Sequence, residues 1–126
     1  MRQAPRRVGD CVKRRDLVQK IEAIPVEVRE EARRIIARFN EKILADSGCC
    51  YIPRFKGKYL YLDREDFGNA GPICRLEYIR RKRHWKFVIY KYSAGRYDPE
   101  EWFFPGSELV DGTIEGALKA GMQAYQ

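Results

Sequence analysis

The residues of this 126-residue chain that are best suited to chemistry are rings and cations, not nucleophiles. From Gly71 to Tyr97 the sequence reads GPICRLEYIRRKRHWKFVIYKYSAGRY. Between Arg80 and Tyr97 it holds Arg80, Arg81, Lys82, Arg83, Lys86, Lys91 and Arg96 and no acid. Two strand-like runs, Ile73 to Arg80 and His84 to Tyr92, flank Arg81-Lys82-Arg83, which reads as a β-hairpin with a cationic tip. Upstream, Tyr59 and Tyr61 alternate with Leu60 and Leu62, so the rings and the leucines point to opposite sides of a strand. If both hairpins join one sheet, Tyr59, Tyr61, Tyr90 and Tyr92 share a surface with Lys58, Arg75, Lys86 and the tip. Aromatic rings stack on bases without reading sequence, and cations neutralise phosphates. The expectation is a platform for single-stranded nucleic acid built from Tyr59, Tyr61, Arg75, Arg81, Lys82, Arg83, Lys86, Tyr90 and Tyr92.

A plainer expectation competes with it. Strand aromatics commonly serve as cross-strand filler under a helix or a second copy. The protein would then be a structural or protein-interaction module, a homodimer through the sheet face or an edge strand. A basic tip also guards a hairpin against edge aggregation.

Catalysis has less support. The sole histidine, His84, follows four cations, which oppose its protonation. There is no Gly-x-Ser-x-Gly, no phosphate-cradling glycine loop and no metal-ligand spacing. Asp63, Glu65, Asp66 and Glu77 could suit a nuclease-like metal site, but the lysine wanted two residues after Glu77 is replaced by Ile79. An unrecognised hydrolase or nuclease is therefore the third reading, and no metal or cofactor is expected. Cys11, Cys49, Cys50 and Cys74 form no C-x-x-C pair and read as reduced, mostly buried thiols. A bridge from Cys49 or Cys50 to Cys74 stays open at this point.

The net charge of +7 hides an asymmetry. Residues 1–97 carry 24 Lys and Arg against 12 Asp and Glu, while residues 98–126 set Lys119 against Asp98, Glu100, Glu101, Glu108, Asp111 and Glu115. A basic body with an acidic end suits an anionic partner on one side, or head-to-tail self-association. No apolar run approaches the ~18 residues needed to span a bilayer, so no membrane partner is expected. The N-terminus, MRQAPRRVGDCVKRRD, lacks an apolar signal core, and a cytoplasmic setting is the default expectation.

The elements that must position these residues follow from periodicity. Residues 1–9 read as a disordered basic arm and 10–126 as one α+β domain with its core in 25–126. A short helix is expected over Cys11 to Ala23. Pro25 fits a helix first turn. From Val26 to Asp46, residues Val28, Ala32, Ile35, Ile36, Phe39 and Ile43 repeat at helical spacing, with Ser47-Gly48 as the stop. Cys50 to Phe55 and Lys58 to Asp63 make one hairpin, and Pro53 argues for an edge position. Arg64 to Pro72 reads as a loop, Trp102-Phe103-Phe104 as an apolar plug, and Asp111 or Thr113 as the cap of a final helix. The fold expected is a long helix, an antiparallel sheet of four or five strands in two hairpins, and a C-terminal helix packed on it.

The run RLEYIRRKRHWKFVIYKYSAGRYDP, with RFKGKYLYLDREDFG, PEEWFFPG and DGTIEGALKAG around it, resembles small prokaryotic domains of unknown function. In these a helix precedes an antiparallel sheet, a Trp-bearing strand runs to a Tyr-Asp-Pro turn, and a helix closes. The resemblance implies an α+β fold in a prokaryotic cytosol and brings no functional residue with it.

Overall fold

The computed structural model describes residues 23–126; the expected basic arm and nearly all of the short helix after it lie outside them. Helix α1 spans Val26–Lys42, five strands follow, and helix α2 spans Ile114–Ala124. The strands are β1 (Cys49–Lys56), β2 (Tyr59–Asp66), β3 (Asn69–Ile79), β4 (His84–Lys91) and β5 (Arg96–Asp98). They pair antiparallel in sequence order, a five-stranded meander. This is the expected α+β architecture. No helix among the described residues is long and apolar enough to cross a membrane.

The sheet has one apolar side. Leu60, Leu62, Cys74 and Leu76 are all inaccessible to solvent, and Leu60↔Leu76 and Leu62↔Cys74 are facing pairs in the β2–β3 register. Both helices lie on this side. From α1, Ala32, Ile36 and Phe39 join the core, and Phe39 meets Tyr51 edge-on at 6.0 Å. The Asn40 side chain then brackets β1, donating to the Tyr51 carbonyl (3.0 Å) and accepting from the Tyr51 N–H (2.8 Å). An edge strand with unpaired amides is thereby blunted, with Pro53 beside it. From α2, the Leu118 carbonyl accepts from the buried Tyr51 hydroxyl at 2.7 Å. Gly121 permits this approach, because a Cβ there would collide with the Tyr51 phenol and Ile73. Thr113 caps α2, accepting from the Gly116 N–H at 3.0 Å, and Asp111 in turn holds Thr113.

Four local expectations are corrected. Helix α1 ends at Lys42, with Ile43 as its last cap and 62 % exposed, so Gly48 is no C-cap; its φ of +80° instead opens β1 beneath the Phe67 ring. The apolar period fails after Phe39 because Leu44, not Ile43, turns inward. Arg64 to Pro72 is no loop: β2 runs on to Asp66 and β3 starts at Asn69, joined through Phe67 (φ +50°) and Gly68 (φ +90°). A two-residue hairpin of the I′ kind needs positive φ at both central positions, and Phe in the place of Asn or Asp conceals it. The extra residue of the register shift between Leu62 and Asp63 turns Ile73 into the core beside Cys74. Finally, Trp102 and Phe103 are 66 % and 91 % exposed and close nothing; only Phe104 packs, stacked on Phe87 at 5.6 Å.

Candidate nucleic-acid interface

The side of the sheet opposite the helices carries the candidate residues. Alternation from Leu60 and Leu62 puts Tyr59 and Tyr61 there, and the register sets Tyr61 against Arg75 and Arg75 against Val88. On β4 the same alternation brings Lys86 and Tyr90 to this side, and Tyr90 faces Tyr97 of β5. Among the described residues, neither helix lies across this side.

The rings form a chain. Tyr59 meets Tyr61 (6.0 Å), Tyr61 meets Tyr97 (5.4 Å), Tyr97 meets Tyr90 (4.9 Å), and Tyr90 meets Tyr92 (4.9 Å). Tyr92 continues to Tyr125 at 5.3 Å. Most contacts are tilted or edge-to-face, the geometry that aromatic quadrupoles favour. The Arg75 guanidinium lies between Tyr59 (4.6 Å) and Tyr97 (5.4 Å), while Arg54 lies over Tyr61 (4.8 Å) and Lys58 over Tyr59 (5.5 Å). Val88, opposite Arg75 on this side, is buried as well. Tyr59, Tyr61, Tyr90 and Tyr97 are half-buried, and Tyr92 is exposed.

Charge on this side is mixed. Asp63 holds Arg54 at 2.6 Å and Glu77 holds Lys58 at 3.3 Å. Arg75 makes no ion pair among the described residues, so its charge is met by rings alone. Burial first, and Asp63 next, pushes the Tyr97 phenol up to about 12, so it stays a neutral donor at ordinary pH. The Tyr92 phenol is raised too, chiefly by burial. Its hydroxyl donates to the Pro72 carbonyl at 2.8 Å, which anchors it at a corner of the sheet.

The basic tip is split from this array. Arg80–Lys82 forms a 3₁₀ turn with Arg81 and Lys82 exposed, and Arg83 adopts φ +50°. Arg83 lines a cleft on the helix side that also holds Glu27, Glu31 and Glu115. The structure thus brings together Tyr59, Tyr61, Arg75 and Tyr90, sets Lys86 on the same side, attaches Tyr92 at the corner, exposes Arg81 and Lys82 on the turn and turns Arg83 to the helix side. Sequence reasoning missed Tyr97 and Arg54. Tyr97 sits at the centre of the ring chain because a tight turn after Lys91 folds β5 back on β4, opposite Tyr90, and no alternation along the chain marks it.

Among the described residues no group of three His, Cys, Asp or Glu is arranged to hold a metal ion. Cys49 and Cys50 open the edge strand, Cys74 lies in the buried centre, and all three are free thiols. Burial holds the Cys74 thiol well above its ordinary pKa, which makes it inert. Family models, curated proteins and solved structures returned no match to this chain, so no function transfers from a relative.

Proposed function

We propose that the tyrosine side of the sheet binds single-stranded nucleic acid without catalysing a reaction on it. The observation that carries this reading is Arg75, a cation unpaired by any described carboxylate and clamped between two rings on a sheet face that neither described helix crosses. A passing phosphate finds a fixed guanidinium there. The flanking bases find ring faces whose positions are already set by ring-to-ring contacts, which lowers the ordering cost of binding. Because Asp63 and Glu77 offset Arg54 and Lys58, affinity comes from stacking as much as from charge.

The test is fluorescence anisotropy of a labelled oligo-dT or oligo-U across a salt series. Two to three phosphate contacts on a single strand give a log–log salt slope of about −1.5 to −2. Arg75→Ala and Tyr97→Ala should each weaken binding about tenfold or more, as losing a stacked ring or its cation does. Binding that ignores both salt and these variants, or no binding at all, rejects the proposal. A second reading has its own support: the exposed Trp102-Phe103 pair is an apolar patch of the kind that meets protein partners.

A further inference from the structure

The far edge of the sheet is incomplete in one place. The Trp85 N–H donates to the Gly112 carbonyl (2.9 Å), and the Lys91 carbonyl accepts from Ala94 and Gly95, so odd-numbered residues of β4 turn their main chain away from β3. Strand β5 takes up Ile89 and Lys91, then stops at Asp98 because Pro99 cannot extend the ladder. Phe87 is left between Pro99 and Gly112 with its N–H and C=O facing outward and no main-chain partner among the described residues.

That gap opens into a cleft of about 520 Å³. Its walls are aromatic: Trp85, Phe87, Trp102 and Phe104. Three carboxylates also line it, Asp98, Glu101 and Asp111, against the single lysine Lys86 and His84. Glu101 is paired with Lys91 at 3.0 Å and Asp98 with Arg96 at 3.7 Å, both through solvent-exposed cations, and Asp111 has no ion-pair partner among the described residues. An open donor–acceptor pair on a strand edge gives strand addition its main-chain bonds and the apolar walls give it a side-chain pocket. Exposed ion pairs such as Lys91–Glu101 contribute little to stability, so a cation on an incoming segment can exchange into them and reach Asp111 as well.

We propose that this cleft takes an extended peptide segment in which an apolar residue is flanked by lysine or arginine. The segment continues the line of β5 and pairs with the Phe87 main chain. Its apolar side chain packs on Phe104 and Trp102, and its cations meet Glu101, Asp98 and Asp111. This site does not depend on the tyrosine face.

The chain's two tryptophans, Trp85 and Trp102, both line the cleft, so intrinsic fluorescence reports on it directly. The probe is an acetylated, amidated Lys-Leu-Lys-Leu-Lys peptide titrated into the full chain. It is compared with the same peptide N-methylated on its backbone and with Glu-Leu-Glu-Leu-Glu. A saturable shift is expected for the basic peptide, with at least tenfold weaker binding after N-methylation and none for the acidic peptide. Trp102→Ala and Glu101→Gln, each checked for an unchanged far-UV spectrum, should weaken it, whereas Arg75→Ala should not. Equal binding of the N-methylated peptide would overturn strand pairing, and equal binding of the acidic one would overturn the charge argument. No binding of any peptide removes the proposal. Oligonucleotide binding that, in the absence of peptide, is lost in Trp102→Ala would overturn it by assigning the cleft to nucleic acid, and a dimer lost in Trp102→Ala would give the cleft to a second copy instead.

Discussion

The two sides of this sheet are closed by different means. On the helix side, aliphatic groups from Leu60, Leu62 and Leu76 meet Ile36, Ala117 and Leu118, and water is excluded by a second layer. On the other side Val88 is buried too, opposite Arg75 on a face whose described residues form a lateral mesh of tyrosines and arginines. Burial by a second layer leaves no surface for a partner. Burial by neighbours in the same plane leaves ring faces and a guanidinium on the outside, already ordered. The same alternation of residues along β2 and β3 thus builds the core on one side and sets out rings and cations on the other.

The contrast can be broken by substitution. The largest effect is expected for Leu76→Ala, which opens a cavity between sheet and helices and should cost about 2–5 kcal/mol in chemical denaturation. A loss under 1 kcal/mol would mean that the helix layer does not hold the sheet. Next, Tyr51→Phe removes the buried hydroxyl bond to Leu118 and should cost about 1 kcal/mol. It also sharpens the pH behaviour. Burial raises the Tyr51 phenol above its ordinary value, and Tyr97 is raised to about 12. The folded state therefore keeps protons that the unfolded chain releases near pH 10, and stability present below that pH falls as pH climbs toward 12. Tyr51→Phe should flatten this alkaline limb, read as denaturation midpoint against pH; an unchanged limb would assign it elsewhere.

Thr113→Ala removes the cap of α2 and should cost about 1 kcal/mol without altering oligonucleotide binding. The smallest stability change is expected on the open side. Arg75→Ala gives up two ring contacts near the surface, about 0.5–1 kcal/mol, while weakening oligonucleotide binding severalfold or more. If Arg75→Ala instead destabilises as much as Leu76→Ala, the mesh is a core and the distinction between the two sides fails.

Much of this arrangement was legible in the residues. The stripe Val28, Ala32, Ile35, Ile36 and Phe39 marked α1, and Pro53 marked the edge strand, because period and proline chemistry are local facts. The Phe67-Gly68 hairpin was not legible, since a phenylalanine at positive φ is tolerated there only by the strands on either side. Nor was Tyr97, whose partners come from three other strands.

The sequence by itself determined which residues point together. Side-chain alternation sorted tyrosines from leucines on β2 and cations from core residues on β3, and it needs no knowledge of neighbours. Only the tertiary structure decided which of the two sides the helices would cover, and that Gly112 would take the Trp85 N–H and leave Phe87 beyond the end of β5. Both outcomes depend on long-range docking, through Asn40, Tyr51 and Gly121 in one case and Gly112 in the other, and no local period records such contacts.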